Sequence, residues 1–235
     1  MADMTEIMPD ADAVALYAAT WLLARAEAAE RFTFALSGGS TPKRLYEILA
    51  QAPFLDRFPW ARTHVFFGDE RFVPPDHLDS NYRMANEAML SHVPIPPGQV
   101  HRWPTDGDPA DAARRYAGTL QSHYGAETLD PARPLFDVQL LGLGEDGHTA
   151  SLFPGVAALQ ETSAWTASVV GAKPEPRLTL TYPALNSSAA AVFLVAGKAK
   201  TAILTRVRAH DPALPASHVT SMGQVHWFID AAAAA

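Results

Sequence analysis

Phe136-Asp-Val-Gln-Leu-Leu-Gly-Leu-Gly-Glu-Asp-Gly-His148, continuing through Thr-Ala-Ser-Leu-Phe-Pro154, sets an apolar run against a glycine loop that carries an acid and an imidazole. The run over residues 138–143, broken only by Gln139 and Gly142, is short and bounded by glycine, the pattern of a parallel strand buried on both faces. Gly142, Gly144 and Gly147 let the backbone turn tightly and approach a ligand with no Cβ in the way. Asp146 and His148 then fall at the mouth of the strand, where open parallel sheets place their ligand crevices. From that position His148 is a candidate base.

The same loop spells G-x-G-x-x-G, which in a dinucleotide site must open a long helix and be followed by a strand ending in an acid. Here Pro154-Gly155 stops a helix as it would begin, and Glu161 lies in Leu-Gln-Glu-Thr-Ser rather than after a β-rich run. The dinucleotide reading fails on that context.

Outward from this stretch the chain alternates helical and strand-like segments, the mark of a parallel sheet covered by helices. Residues 10–30 are alanine-rich with an apolar face and read as a helix. Strands are expected at 32–36, 64–68, 136–142, 177–181, 189–196 and 225–229, and helices at 42–49, 81–90, 108–124 and 198–207. The first strand leads into Ser37-Gly-Gly-Ser-Thr-Pro42, where two glycines free the backbone and a proline stands at a helix start. Such a junction aims N–H groups and the hydroxyls of Ser37, Ser40 and Thr41 at one spot, suited to an anion such as phosphate, or it is simply a capping turn. It lacks the spacing and terminal Lys-Ser/Thr of a nucleotide-triphosphate loop. Phe66-Phe-Gly-Asp-Glu-Arg71 again puts charges after an apolar strand and should open on the same crevice. Arg71 offers a planar fork to a phosphate or carboxylate, and Asp69 or Glu70 can hold that fork or a sugar hydroxyl.

The 235 residues suffice for one large domain with a full core. The longest apolar stretches fall well short of the ~20 residues that span a bilayer, and the N-terminus has acids where a secretory signal has a basic region. A cytoplasmic protein is expected. With no cysteine there is no disulfide, thiolate metal site or cysteine nucleophile. The net charge of −7 opposes a broad nucleic-acid face, though local cations can still hold a small anion. Asp76-His-Leu-Asp79 reads as a polar loop, so no metal site is expected. Ser40 and Ser151 lack the Gly-x-Ser-x-Gly elbow of a serine nucleophile.

Taken jointly, Ser37-Gly-Gly-Ser-Thr-Pro42, Gly68-Asp-Glu-Arg71 with Ser80-Asn81, and Gly142-Leu-Gly-Glu-Asp-Gly-His-Thr-Ala-Ser-Leu-Phe-Pro154 resemble the motifs of the 6-phosphogluconolactonases. Arg177-Leu-Thr-Leu-Thr181 and Gly197-Lys-Ala-Lys200 match later motifs, in order and over most of the chain. The resemblance implies an α/β, Rossmann-like fold: a mainly parallel sheet with helices on both faces, in a single domain over residues 1–235 whose last five alanines are helix or frayed tail. It implies hydrolysis of 6-phosphoglucono-δ-lactone, a small-molecule phosphosugar lactone, without a cofactor, a nucleic-acid partner or a membrane. The expected catalytic set is His148, Asp146 and Arg71. Ser37, Gly38, Gly39, Ser40, Thr41, Asp69, Gly147, Arg177 and Lys200 are expected to bind substrate and its phosphate, with Lys200 preferred to Lys198 by Gly-x-x-Lys spacing. A monomer is expected, with weak self-association as the alternative.

Glucosamine-6-phosphate deaminases share the glycine-rich loop, the Asp-Glu after the second strand and Asp-Gly-His. They continue as Ile-Ala-Phe-Asn-Glu-Pro, with a glutamate partnering the imidazole, and have a tyrosine after Asp-Glu. This chain has Ser151-Leu-Phe-Pro154 and Arg71 instead. A third reading is a sugar-phosphate sensor without turnover, which the candidate base and the absence of a DNA-binding segment oppose.

Overall fold

The computed structural model describes residues 3–235. In chain order the elements are β1 (Met4–Met8), α1 (Ala11–Ala28), β2 (Phe32–Leu36), α2 (Ser40–Leu49), α3 (Phe54–Arg57), β3 (Thr63–Phe67), β4 (Asp69–Arg71) and α4 (Asn81–Ala85). There follow α5 (Pro109–Tyr124), β5 (Val138–Leu141), β6 (Thr166–Val169), β7 (Arg177–Leu180), α6 (Tyr182–Asn186), β8 (Ala190–Val195), α7 (Thr201–Arg208), β9 (Gln224–Asp230) and α8 (Ala231–Ala234).

Six strands form one sheet in the order β1-β9-β8-β5-β2-β3, and every pairing in it is parallel. Every residue of β2, β5 and β8 is buried, as the interior of a sheet covered on both faces requires. The parallel sheet confirms the α/β reading. Helix ends follow local chemistry: Asp10 accepts the Ala13 N–H at 2.8 Å before α1, and Asp108 caps α5, which Pro109 opens and Gly125 closes at φ 79°.

The structure differs from the sequence expectation in instructive places. β1 was not anticipated: it is an edge strand with Met4 and Ile7 exposed, and Thr5-Glu6 break the continuous apolar run that marks the buried strands. β7, expected among the parallel strands, instead belongs to a separate antiparallel sheet, β4-β7-β6, whose other two strands were not anticipated. The chain leaves the large sheet at Gly68, whose N–H donates to the Leu36 carbonyl and whose own carbonyl accepts the Leu180 N–H. A Cβ there would stand 2.9 Å from Gln139 Nε2. The helix expected over 81–90 is α only to Ala85 and then widens, with the Ser91 N–H reaching back to Asn86 O. Lys198–Lys200 is a tighter turn preceding α7.

The terminal alanines form a turn of helix rather than a frayed end. Asp230, buried at the end of β9, accepts the Ala233 N–H at 2.7 Å and the Gly197 N–H at 3.0 Å. One carboxylate thus ties the tail to the loop that leads to Lys200. Among the described residues no helix is long and apolar enough to cross a membrane.

Candidate active site

The C-terminal ends of β2, β5 and β8, adjacent in the sheet, open together on a cleft of about 310 Å³, and the β3–β4 junction closes one side. This is the position the parallel topology dictates, since each strand ends in a loop on the same edge. The volume suits a small polar ligand.

One wall is the loop after β2, with Ser37 to Thr41 lining the cleft. Its shape is held from below by buried Tyr46, whose hydroxyl donates to Ser37 O at 2.8 Å and accepts the Ser37 N–H at 3.0 Å. Gly39 stands at φ 108° just before α2, and no side chain caps the helix. The helix N-terminus is therefore free to face an anion. Gly38 admits a close neighbour: a Cβ there would overlap the Asn81 carboxamide. Lys200 faces the same cleft from the loop after β8, while Lys198 is not part of the lining.

The opposite wall carries the imidazole. His148 Nδ1 lies 2.5 Å from Asp146 Oδ1, which also accepts the His148 backbone N–H at 3.1 Å. Burial tends to raise the Asp146 carboxyl, but these hydrogen bonds outweigh it and hold it below its ordinary value. A carboxylate only accepts, so the proton of this contact belongs to Nδ1, and the lone pair is left on Nε2. Phe153 packs against the ring at a centroid distance of 4.6 Å. Gly144 makes room for this pair, because a Cβ on it would overlap His148 Nδ1 and stand 2.7 Å from Asp146 Oδ1. Gly144→Ala is therefore expected to push the imidazole out of position and lower turnover of the substrate proposed below ~10²-fold, with little change in Tm. Steady-state kinetics beside thermal unfolding check this; an unaltered kcat would show that the ring needs no such clearance.

The charged strand β4 divides its three side chains between different tasks. Asp69 borders the cleft and is fixed by Ser151 Oγ at 2.7 Å and Asn81 Nδ2 at 3.2 Å. Ser151 is thus a buried donor to Asp69 and not an exposed nucleophile. Glu70 turns inward, only 2% exposed, and accepts the backbone N–H groups of Arg71, Asn81 and Tyr82 together with Ser80 Oγ. Burial raises its pKa, and the three backbone donors pull it back. Neither acid pairs with the Arg71 guanidinium, which instead donates to Asp79 O at 2.5 Å.

Arg71 and Arg177 are direct cross-strand partners in the antiparallel β4–β7 pair. Like charges in that register repel. Burial lowers the Arg177 pKa, and Arg71 lowers it further. Arg177 Nη1 is buried without a hydrogen bond, with Glu175 no nearer than 3.6 Å.

Of the residues expected from sequence, Ser37, Gly38, Gly39, Ser40, Thr41, Asp69, Arg71, His148 and Lys200 line the cleft. Asp146 stands behind His148, and Arg177 lies beside Arg71 outside the lining. Gly147, at φ 80°, faces Leu214 instead of the cleft. Sequence reading assigned no role to Asn81 and Tyr46, which shape the cleft, although Ser80-Asn81 at a helix start was a usable signal.

Residues 9–227 match the family described as glucosamine-6-phosphate isomerases/6-phosphogluconolactonase. A 6-phosphogluconolactonase of Nostoc is 42% identical over 244 aligned residues, covering 100% of this chain and 98% of the relative. A Synechocystis 6-phosphogluconolactonase is 45% identical, covering 84% of this chain and 81% of its own. The crystal structure of 6-phosphogluconolactonase from Thermotoga maritima superposes with a TM-score of 0.84 at 30% identity, covering 97% of this chain and 99% of that one. With its sheet order, its cleft and these likenesses in agreement, the chain belongs to the glucosamine-6-phosphate isomerase/6-phosphogluconolactonase family.

Proposed function

We propose that this chain hydrolyses 6-phospho-D-glucono-1,5-lactone to 6-phosphogluconate, with His148 as general base on water. The observation that carries the reading is the Asp146–His148 contact, which leaves a basic Nε2 on a cleft whose other wall is an uncapped helix N-terminus with Lys200. The names of the relatives give the substrate.

In this mechanism Nε2 takes a proton as the water oxygen bonds to the lactone carbonyl carbon, and the carbonyl electron pair moves to oxygen. The tetrahedral intermediate then expels the ring oxygen, which receives the proton back from Nε2, and the new carboxyl group ionises. Asp146 holds the imidazole in the required tautomer and favours its cationic form between the two steps. Arg71 and loop N–H groups supply donors to the oxyanion. The 6-phosphate is taken by the Ser37 to Thr41 loop and Lys200. Arg177 adds positive potential beside Arg71, and an anionic ligand would relieve the repulsion between the two guanidinium groups that Glu175, 3.6 Å from Arg177, only partly offsets. Water and imidazole suffice, so the proposed reaction uses no cofactor. Action as a monomer in a cytoplasmic setting is proposed with it.

A deaminase would need an acid relay beyond the histidine, where this chain instead packs Phe153 on the ring. The deciding assay follows loss of freshly made 6-phosphoglucono-δ-lactone at neutral pH, corrected for spontaneous ring opening, beside gluconolactone and glucosamine 6-phosphate. Rapid loss of the phosphorylated lactone alone is expected. Ammonia release from glucosamine 6-phosphate would assign the chain to the other branch, and binding without turnover would make it a sensor.

A further inference from the structure

Three histidines distant in sequence meet near the N-terminal end of edge strand β3. His64 lies on β3, and His101 sits beside it with its N–H donating to Val65 O at 2.8 Å. His123 is in the last turn of α5. One ligating nitrogen of each ring falls within 4.8 Å of the other two. His64 Nδ1 and His101 Nε2 are 3.2 Å apart and share a hydrogen bond, and His123 Nε2 is 3.2 Å from Thr33 Oγ1.

This spacing matches the needs of an ion. Imidazole nitrogens about 2.0–2.1 Å from a tetrahedral Zn²⁺ stand about 3.4 Å from one another. The His64–His101 pair already has that separation. Binding would require the rings to turn their lone pairs to a common point, with the metal replacing the shared proton. Burial, followed by the neighbouring histidines and Arg31, lowers His123 to about 3, while burial and His64 lower His101 to about 4. His64 is lowered by burial and Arg31. Metal ligation uses the neutral imidazole, which burial of this kind favours. Arg31 is the opposing charge, balanced by the Asp137 carboxylate, which accepts the Thr33 N–H at 2.7 Å.

The cluster is also supported from behind. His101 stacks on buried Phe66 at 4.2 Å and 12°, and its carbonyl accepts the Tyr116 hydroxyl at 2.9 Å. All three residues remain partly exposed, which leaves an entry path and a solvent position. His64 precedes Phe67, at the cleft end of β3, by about 10 Å of extended chain, so this is a separate site.

We propose that His64, His101 and His123 form a binding site for Zn²⁺ or a similar borderline divalent transition ion, with three imidazole ligands and solvent in the remaining position. The ion clamps the last turn of α5 to the edge strand and stabilises the fold without entering the lactone chemistry. Sequence reading missed it because the three positions share no short motif.

The test titrates untagged, chelator-stripped full-length protein with zinc sulfate by calorimetry and follows Tm, while X-ray absorption reports the shell around bound zinc. About one Zn²⁺ per chain, a raised Tm and an imidazole-rich shell are expected. His101→Gln and His123→Gln should each lose the site, whereas His148→Ala should keep it. If those variants fail to fold, the wild-type absorption spectrum decides. No saturable binding, a shell of oxygen ligands alone, or zinc that disappears with His148→Ala and persists in His101→Gln would overturn the proposal.

Discussion

Replacing His148 by alanine is expected to lower kcat for the phosphorylated lactone by ~10²- to 10⁴-fold, with KM and Tm nearly unchanged. The asymmetry follows from where the ring sits. Its side chain is 29% exposed on a loop, so its loss opens no core cavity. The wall proposed to take the phosphate, Ser37 to Thr41 with Lys200, is built by other strands and should survive the substitution. Ground-state binding should therefore persist while the proton acceptor is lost. Spontaneous opening of the lactone sets the floor against which the variant rate is read. A variant that retains the wild-type kcat would remove His148 from the mechanism, and one that loses KM instead would recast it as a binding residue.

The legible parts of this molecule are those in which a local run of residues carries the full physical cause. Residues 138–143 announce a buried strand because apolar side chains are needed on both faces, and glycines must follow where the chain turns. Asp146 and His148 are two residues apart on that turn, so their contact needs no tertiary information. The geometry of the loop from Ser37 to Thr41 is similarly local, apart from Tyr46, whose grip on Ser37 arises only when α2 folds back under the loop. β4 was hidden for the opposite reason. Asp-Glu-Arg reads as charges at the mouth of a crevice with no strand signal of their own, and its strand character comes from pairing with β7 and from a buried carboxylate whose donors are mostly ten or more residues away. The histidine trio likewise depends on three segments brought together by the sheet edge and α5.

Glu70→Ala is expected to cost about 3–5 kcal/mol of stability, a large folding effect for a single change near the cleft. The native carboxylate lies 2.7 Å from the Asn81 N–H and 2.8 Å from those of Arg71 and Tyr82, with Ser80 Oγ at 3.2 Å. Truncation leaves these donors without their acceptor at a buried position, Asn81 and Ser80 being themselves buried. Glu70→Gln separates charge from shape. It keeps the volume and relieves the burial penalty that raises the native carboxyl, but its NH₂ must confront at least one backbone donor. Its loss should thus be intermediate. Urea unfolding at neutral pH measures both, through a lower midpoint at an unchanged slope. A function-side consequence accompanies the loss of stability: Asn81 Nδ2 holds the Asp69 carboxylate, so loosening the start of α4 should raise KM even in the folded fraction. A Glu70→Ala protein with wild-type stability would mean that the segment from Arg71 to Tyr82 is held by its own contacts, and that Glu70 is a passenger in the turn it now organises.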